Sequence, residues 1–165
     1  MIFLGTFENR MDAKGRISFP AAFRALIHRS ASREIALFPS FRYDNALEGM
    51  PAETLTAMAD QQEVAEVDLF TKAKANRYSI LFRTTHRLSI DDAGRINLPD
   101  SFVAHAGLEK SVVFSGEGHS FVLWSPAVHS AQMATDLAAL KTPRDELAPS
   151  VDLATAARTG QQATP

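Results

Sequence analysis

The chain has 165 residues, 45% of them hydrophobic and 22% charged, with a formal net charge of −2; this is the composition of a globular protein of one domain or two small ones. The absence of cysteine excludes disulfides and thiolate metal sites and suits a reducing cytoplasm. No apolar run reaches the ~20 residues that a membrane-spanning helix needs, and the opening Met1-Ile2-Phe3-Leu4-Gly5 lacks the basic start of a signal peptide.

Residues 2–11 mix β-branched, aromatic and polar side chains and read as a strand. Asp12-Ala13-Lys14-Gly15 then spells a tight turn, in which Asp12 caps backbone amides and Gly15 accepts positive φ. Arg16-Ile17-Ser18-Phe19 alternates polar and apolar, the period of a half-buried strand. Pro20 opens a short helix carrying Phe23, Leu26 and Ile27; proline suits the first helical position because the N–H it lacks would be unpaired there. Glu34–Phe38 and a segment near Ala46-Leu47 are strand-like, and Pro51 starts a longer helix to about Val64. A further helix is predicted over Val67–Asn76, where Lys72 and Lys74, with Arg77 just beyond, make a basic face. The order then recurs. Residues 80–90 read as a strand, Asp91-Asp92-Ala93-Gly94 as a turn and Arg95-Ile96-Asn97-Leu98 as a strand. Pro99 opens a short helix with Gly107 at its C-terminal cap. Ser111–Phe114 and Phe121–Trp124 are strands, and Pro126 begins a helix to about Leu140. From Thr142 the chain is rich in Pro, Ala, Thr and Gln and reads as disordered.

The recurrence is a repeat at an offset of 79 positions. Between residues 12–23 and 91–102 six of twelve positions are identical: Asp, Gly, Arg, Ile, Pro and Phe, where about 0.7 matches are expected by chance. Half a chain of this length is marginal for an independent core, so the two copies are expected to pack on each other or on neighbouring chains. Charge is segregated along the same lines. Residues 1–34 carry net +3 and residues 72–99 net +4, while residues 43–71 hold seven acids and no Lys or Arg. Both turn motifs therefore lie in positive blocks, and the local field matters more to a nucleic-acid partner than the overall charge.

An arginine held just past a rigid turn can reach phosphates or bind guanine bidentately; equally, it can pair with the turn aspartate and stiffen the hairpin. Arg10 and Lys14 flank Arg16 and favour binding, as do Arg83 and Arg87 near Arg95. The copies are unequal, because Ala93 replaces Lys14 and Asp92 replaces Ala13. Asp12 and Asp91 read as turn caps rather than catalytic carboxylates, and Gly15 and Gly94 as conformational glycines. The five histidines lack metal-ligand spacing. Gly116-Glu117-Gly118-His119-Ser120 lacks the Lys-Ser/Thr of a phosphate loop and reads as a hairpin turn, and Trp124 reads as a core residue. With no nucleophile–base pair, metal cluster or nucleotide cradle, the sequence points away from an enzyme and requires no cofactor or metal.

The paired Asp-x-x-Gly-Arg motifs at Asp12–Ile17 and Asp91–Ile96, each followed by a proline, together with the opening Met1–Gly5, resemble the MraZ transcriptional regulators over about residues 1–140. The resemblance implies an α+β fold of two tandem SpoVT/AbrB-like, swapped-hairpin β-barrel modules, residues 1–78 and 79–141. These would form a pseudo-dimer within one chain, with flanking helices and a disordered tail over 142–165. It also implies sequence-specific binding to direct repeats in double-stranded promoter DNA, assembly into a homo-oligomeric ring, and repression of a division and cell-wall gene cluster that includes the chain's own gene. Cytoplasmic, nucleoid-associated localisation follows, with no membrane and no small-molecule substrate. On that reading Arg16, Arg95 and Lys14 face DNA, with Arg10 beside them; Ala93 departs from the motif lysine. The alternative is an antitoxin-like interaction module, for which the acidic block 43–71 and the tail would supply the partner surface.

Overall fold

The computed structural model describes residues 2–29, 32–64 and 72–141. In chain order the elements are β1 (Thr6–Arg10), β2 (Arg16–Ser18), α1 (Ala21–Ile27), β3 (Glu34–Pro39), β4 (Ala46–Pro51), α2 (Ala52–Val64) and α3 (Lys72–Thr84). There follow β5 (His86–Ser89), β6 (Arg95–Asn97), α4 (Asp100–His105), β7 (Ser111–Glu117), β8 (Ser120–Trp124) and α5 (Pro126–Leu140). The strands all lie in one compact unit, residues 1–130, and the chain from Ala131 belongs to a second unit.

The fold is α+β, and its strands are exchanged between the two copies of the repeat. One antiparallel sheet has the order β1-β7-β8-β4-β3-β5. The first copy's opening strand β1 thus pairs with β7 of the second (Thr6 opposite Ser115, Arg10 opposite Ser111). The second copy's opening strand β5 pairs with β3 of the first (Glu34 opposite Ser89). At the centre β4 pairs with β8, Leu47 facing Leu123 and Glu48 facing Val122. Read from either end, the sheet runs opening strand, third strand, fourth strand, so a pseudo-two-fold axis passes between β4 and β8.

The same axis passes through a second ladder. β2 and β6 pair antiparallel with Ile17 opposite Ile96, and the ladder continues reciprocally: the Phe19 N–H donates to the Gly94 carbonyl and the Leu98 N–H to the Gly15 carbonyl, each at 2.9 Å. Pro20 and Pro99 have no N–H to carry it further. The strand pairings among the described residues therefore make one open six-stranded sheet and one two-stranded ladder, not a closed barrel.

Burial follows the alternation read from sequence. Ile17, Phe19, Phe23, Ile96, Phe114 and Phe121 are all buried in the largest core cluster. Phe121 packs against Phe3, Phe19 and Phe23 at ring-centroid distances of 5.0, 5.3 and 5.7 Å; each such aromatic pair adds about 0.5–1.5 kcal/mol beyond area burial. Leu81 of α3 and Leu55 of α2 cover Ala36, Phe38 and Met50. Trp124 is buried with Ala46, Val113 and Val122, and its indole N–H donates to the Ser115 hydroxyl at 2.8 Å.

Three sequence expectations change. Residues 80–84 end α3 and are not strand, so β5 begins only at His86. Leu81 is needed in the cluster under α2, and the hydroxyls of Thr84 and Thr85 bond back to the Ile80 and Leu81 carbonyls at 2.8 and 2.6 Å, prolonging the turn. Pro20 and Pro99 stand one position before their helices, as N-caps with ψ of 133° and 143°; proline's fixed φ serves an extended N-cap as well as a first helical residue. The basic residues Lys72, Lys74 and Arg77 all lie on α3, which runs on to Thr84 where an end near Asn76 was expected. The helix expected from Val67 falls partly, and the tail 142–165 wholly, outside the described residues.

Candidate nucleic-acid interface

Each turn is built by its aspartate. In the first, the Asp12 carboxylate accepts from the Lys14 N–H (2.9 Å) and the Arg16 N–H (3.0 Å) with one oxygen, and from Arg16 Nε (2.7 Å) with the other. The backbone closes beneath it: the Gly15 N–H donates to the Asp12 carbonyl, and the Asp12 N–H to the Arg16 carbonyl, each at 3.0 Å. Gly15 has φ +73°, a conformation that side chains other than Asn and Asp rarely adopt. The second turn repeats the arrangement. Asp91 accepts from the Arg95 N–H at 2.8 Å and from Arg95 Nε at 3.0 Å, and Gly94 has φ +74°. The Arg16 N–H in the first turn and the Arg95 N–H in the second hold the two carboxyls below the usual carboxylate range; partial desolvation opposes this, and the paired guanidiniums add to the lowering.

Both readings of the motif arginines thus meet in one geometry. Arg16 and Arg95 each bind their own turn aspartate, yet their side chains remain 40% and 39% exposed. Among the described residues Arg16 is held through Nε alone, which leaves its paired Nη groups for a second partner; a guanidinium presents such a fork to phosphate or to guanine O6 and N7. Arg95 is engaged more side-on, with Nη2 also 3.0 Å from Asp91. Arg10 and Lys14 are exposed on the first hairpin. The β2–β6 ladder brings the two hairpins together, so that Arg16, with Arg10 and Lys14 on its hairpin, and Arg95 belong to one paired unit. The second tip carries exposed Asp92 and Ala93 where the first has Ala13 and Lys14.

Sequence reading missed Arg24. It lies on α1 of the first copy, yet its Nη1 donates to the Gly94 carbonyl of the second hairpin at 3.3 Å. With His28, Arg33, Ile90 and the turn Asp91–Gly94 it lines a cleft of about 460 Å³. A single sequence gives little sign of this: Arg24 sits in the basic block 1–34, but only the exchange of hairpins brings α1 against the other copy's turn. Elsewhere Arg42 ties Glu48 and Glu117 together at 2.6 and 2.7 Å, a brace across the β3–β4 and β7–β8 hairpins. Among the described residues no three His, Cys, Asp or Glu gather as metal ligands, and no helix is long and apolar enough to cross a membrane.

Two hairpins exchanged about an internal pseudo-axis, each tipped by an aspartate-capped arginine turn, define a protein of the tandem swapped-hairpin class. A family model described as "MraZ protein, putative antitoxin-like" matches residues 81–148. A protein of Gluconacetobacter diazotrophicus named transcriptional regulator MraZ is 36% identical over 136 residues, covering 81% of this chain and 84% of that one. Proteins of the same name from Rickettsia bellii (35%; 76% of this chain and 82% of the relative) and Parvibaculum lavamentivorans (36%; 78% and 79%) are similarly close. The chain belongs to the MraZ family, whose members are named as regulators and not as enzymes.

Proposed function

We propose that the chain is a sequence-specific, double-stranded DNA-binding transcriptional regulator that acts as a repressor without chemistry. The observation that carries this reading is the pairing of two arginine turns in one unit: Arg16 and Arg95 are pre-oriented by Asp12 and Asp91 yet remain exposed. Arg16, Lys14 and Arg10 on the first hairpin, and Arg95 on the second, are the DNA-facing cations; Asp12, Gly15, Asp91 and Gly94 hold the turns. Residues 1–78 and 79–141 act as the two modules of this unit.

One such unit reaches few phosphates and binds weakly. Copies of the chain assembled in a homo-oligomeric ring would present successive units to direct repeats in a promoter, and the raised effective concentration strengthens binding by about 10²–10⁴-fold. The target is the promoter of a division and cell-wall gene cluster that includes the chain's own gene. Occluding polymerase there requires no cofactor, metal or small-molecule substrate, and places the protein in the cytoplasm on the nucleoid.

A gel shift with the full chain on its own upstream DNA tests the reading. Binding that requires the repeats, weakens steeply with salt and is reduced by Arg16→Ala supports it. Failure to bind any repeat-bearing promoter fragment at low salt removes it.

A further inference from the structure

The two hairpins differ in charge, and the exchange of strands compensates the difference. Lys14 of the first turn has no counterpart in the second, where Ala93 stands. Arg24 of the first copy has no counterpart in the second either, where the repeat places Val103. The structure puts Arg24 on the hairpin that lacks the lysine. Its guanidinium donates to the Gly94 carbonyl and lies so close over Gly94 that a Cβ there would collide with it. Around Gly15 of the first hairpin, the space a Cβ would enter meets only the Leu98 carbonyl and the Asn97 side chain within 4 Å. Each turn thus has one cation beside its motif arginine: Lys14 in the first, from its own residues, and Arg24 against the second, from the other copy.

We propose that the cleft between α1 and the second hairpin seats a backbone phosphate of the duplex, with Arg24 as its cation. The inference rests on the DNA-binding reading above. Among the described residues Arg24 makes one hydrogen bond, so most of its donors remain for a ligand in the half-exposed cleft. Exposed Arg33 and His28 stand on the same walls. The Asp91 carboxylate in that wall is already engaged by Arg95. Exposed Asp92 also lines this cleft, and its negative charge opposes an anion there, so it sets how tightly the seat holds one. A phosphate is the fitting occupant because it is compact, anionic and rich in acceptors, and a guanidinium satisfies it with paired donors.

The test is equilibrium binding of the full chain to its own upstream duplex across a salt series. Arg24→Gln is expected to weaken binding about three- to tenfold and to make the salt slope shallower by about one. Arg24→Lys keeps the slope, Ala93→Lys restores it in the Arg24→Gln background, and Asp92→Ala tightens binding. A wild-type slope in Arg24→Gln, with lower thermal stability and no rescue by Ala93→Lys, reduces Arg24 to a brace for Gly94 and overturns the proposal. Inorganic phosphate that binds the wild type but not Arg24→Gln at matched ionic strength, while leaving duplex binding unchanged, assigns the cleft to free phosphate and also overturns it. A wild-type chain that binds no duplex removes the DNA-binding reading itself, whereas the two preceding outcomes leave it standing.

Discussion

Gly49→Ala should destabilise the protein, although a glycine in a strand interior ordinarily costs about 0.5–1 kcal/mol relative to alanine. Gly49 sits in the central strand β4 opposite Phe121 of β8, and its backbone is not in the positive-φ region, so alanine meets no conformational strain there. What it meets is the Phe121 ring. A Cβ at residue 49 would lie 2.5 Å from Cε2, nearer still to Cζ, and 3.1 Å from Leu37 Cδ1. Carbon atoms pack at about 3.5–4.0 Å, so the ring must retreat by about an ångström. Phe3, Phe19 and Phe23 close the space behind it. Overpacking of this kind costs about 1–3 kcal/mol, which outweighs the backbone gain and leaves a net loss of about 1–2 kcal/mol, or about 3–8 °C in Tm. Thermal unfolding followed by circular dichroism measures it, and Phe121→Leu in the same chain should recover part of the loss. A Gly49→Ala protein as stable as the wild type, or more so, refutes the reasoning, because the centre of the sheet would then have slack that the packing denies.

In gel shifts on the chain's upstream DNA, Arg16→Ala should cost more affinity than Arg95→Ala, because Arg16 stands with Arg10 and Lys14 while Arg95 shares its turn with Asp92; equal losses would make the hairpins equivalent. Ile17→Ala and Ile96→Ala should each cost about 2–5 kcal/mol in urea unfolding, and because the two face each other across the pseudo-axis the double variant should depart from additivity by about 0.5–3 kcal/mol. Carboxyl NMR titration should place Asp12 and Asp91 below the ordinary carboxylate value. The folded pKa being lowered, their stabilisation is present above the unfolded value and is lost as pH falls through the native one; hairpin stability should therefore be flat between about pH 5 and 8. In Arg16→Ala the Asp12 value should rise, and an unchanged value would show that the pairing contributes nothing.

The turns were legible in the sequence because their chemistry is local. Asp12 lies within four residues of every hydrogen-bond partner that closes its turn, Gly15 among them, and an Asp-x-x-Gly spacing encodes that directly. The strands from Glu34, Ser111 and Phe121 were likewise visible as apolar runs. Residues 80–84 were misread because Ile80, Leu81 and Phe82 suit a strand in isolation, and only a partner 26 or more residues away in sequence, the cluster of Leu55 with Phe38, settles them as helix. Arg24 was illegible for the same reason in stronger form: its hydrogen-bond partner Gly94 is 70 residues distant, and no periodicity or spacing records a contact made by exchanging hairpins.

That exchange also has a consequence for synthesis. The ladder partner of Thr6–Arg10 is Ser111–Ser115, so the first strand to leave the ribosome waits for almost the last one before it can pair. Through most of translation the nascent chain carries an unmatched strand and a half-built aromatic core, the kind of intermediate that depends on chaperones and aggregates when crowded. Long-range pairing of this sort is slow to form. A stalled chain that lacks its own partner strand can take one from a neighbouring chain, so the device that makes one chain self-sufficient also makes it prone, while immature, to entangle with its siblings.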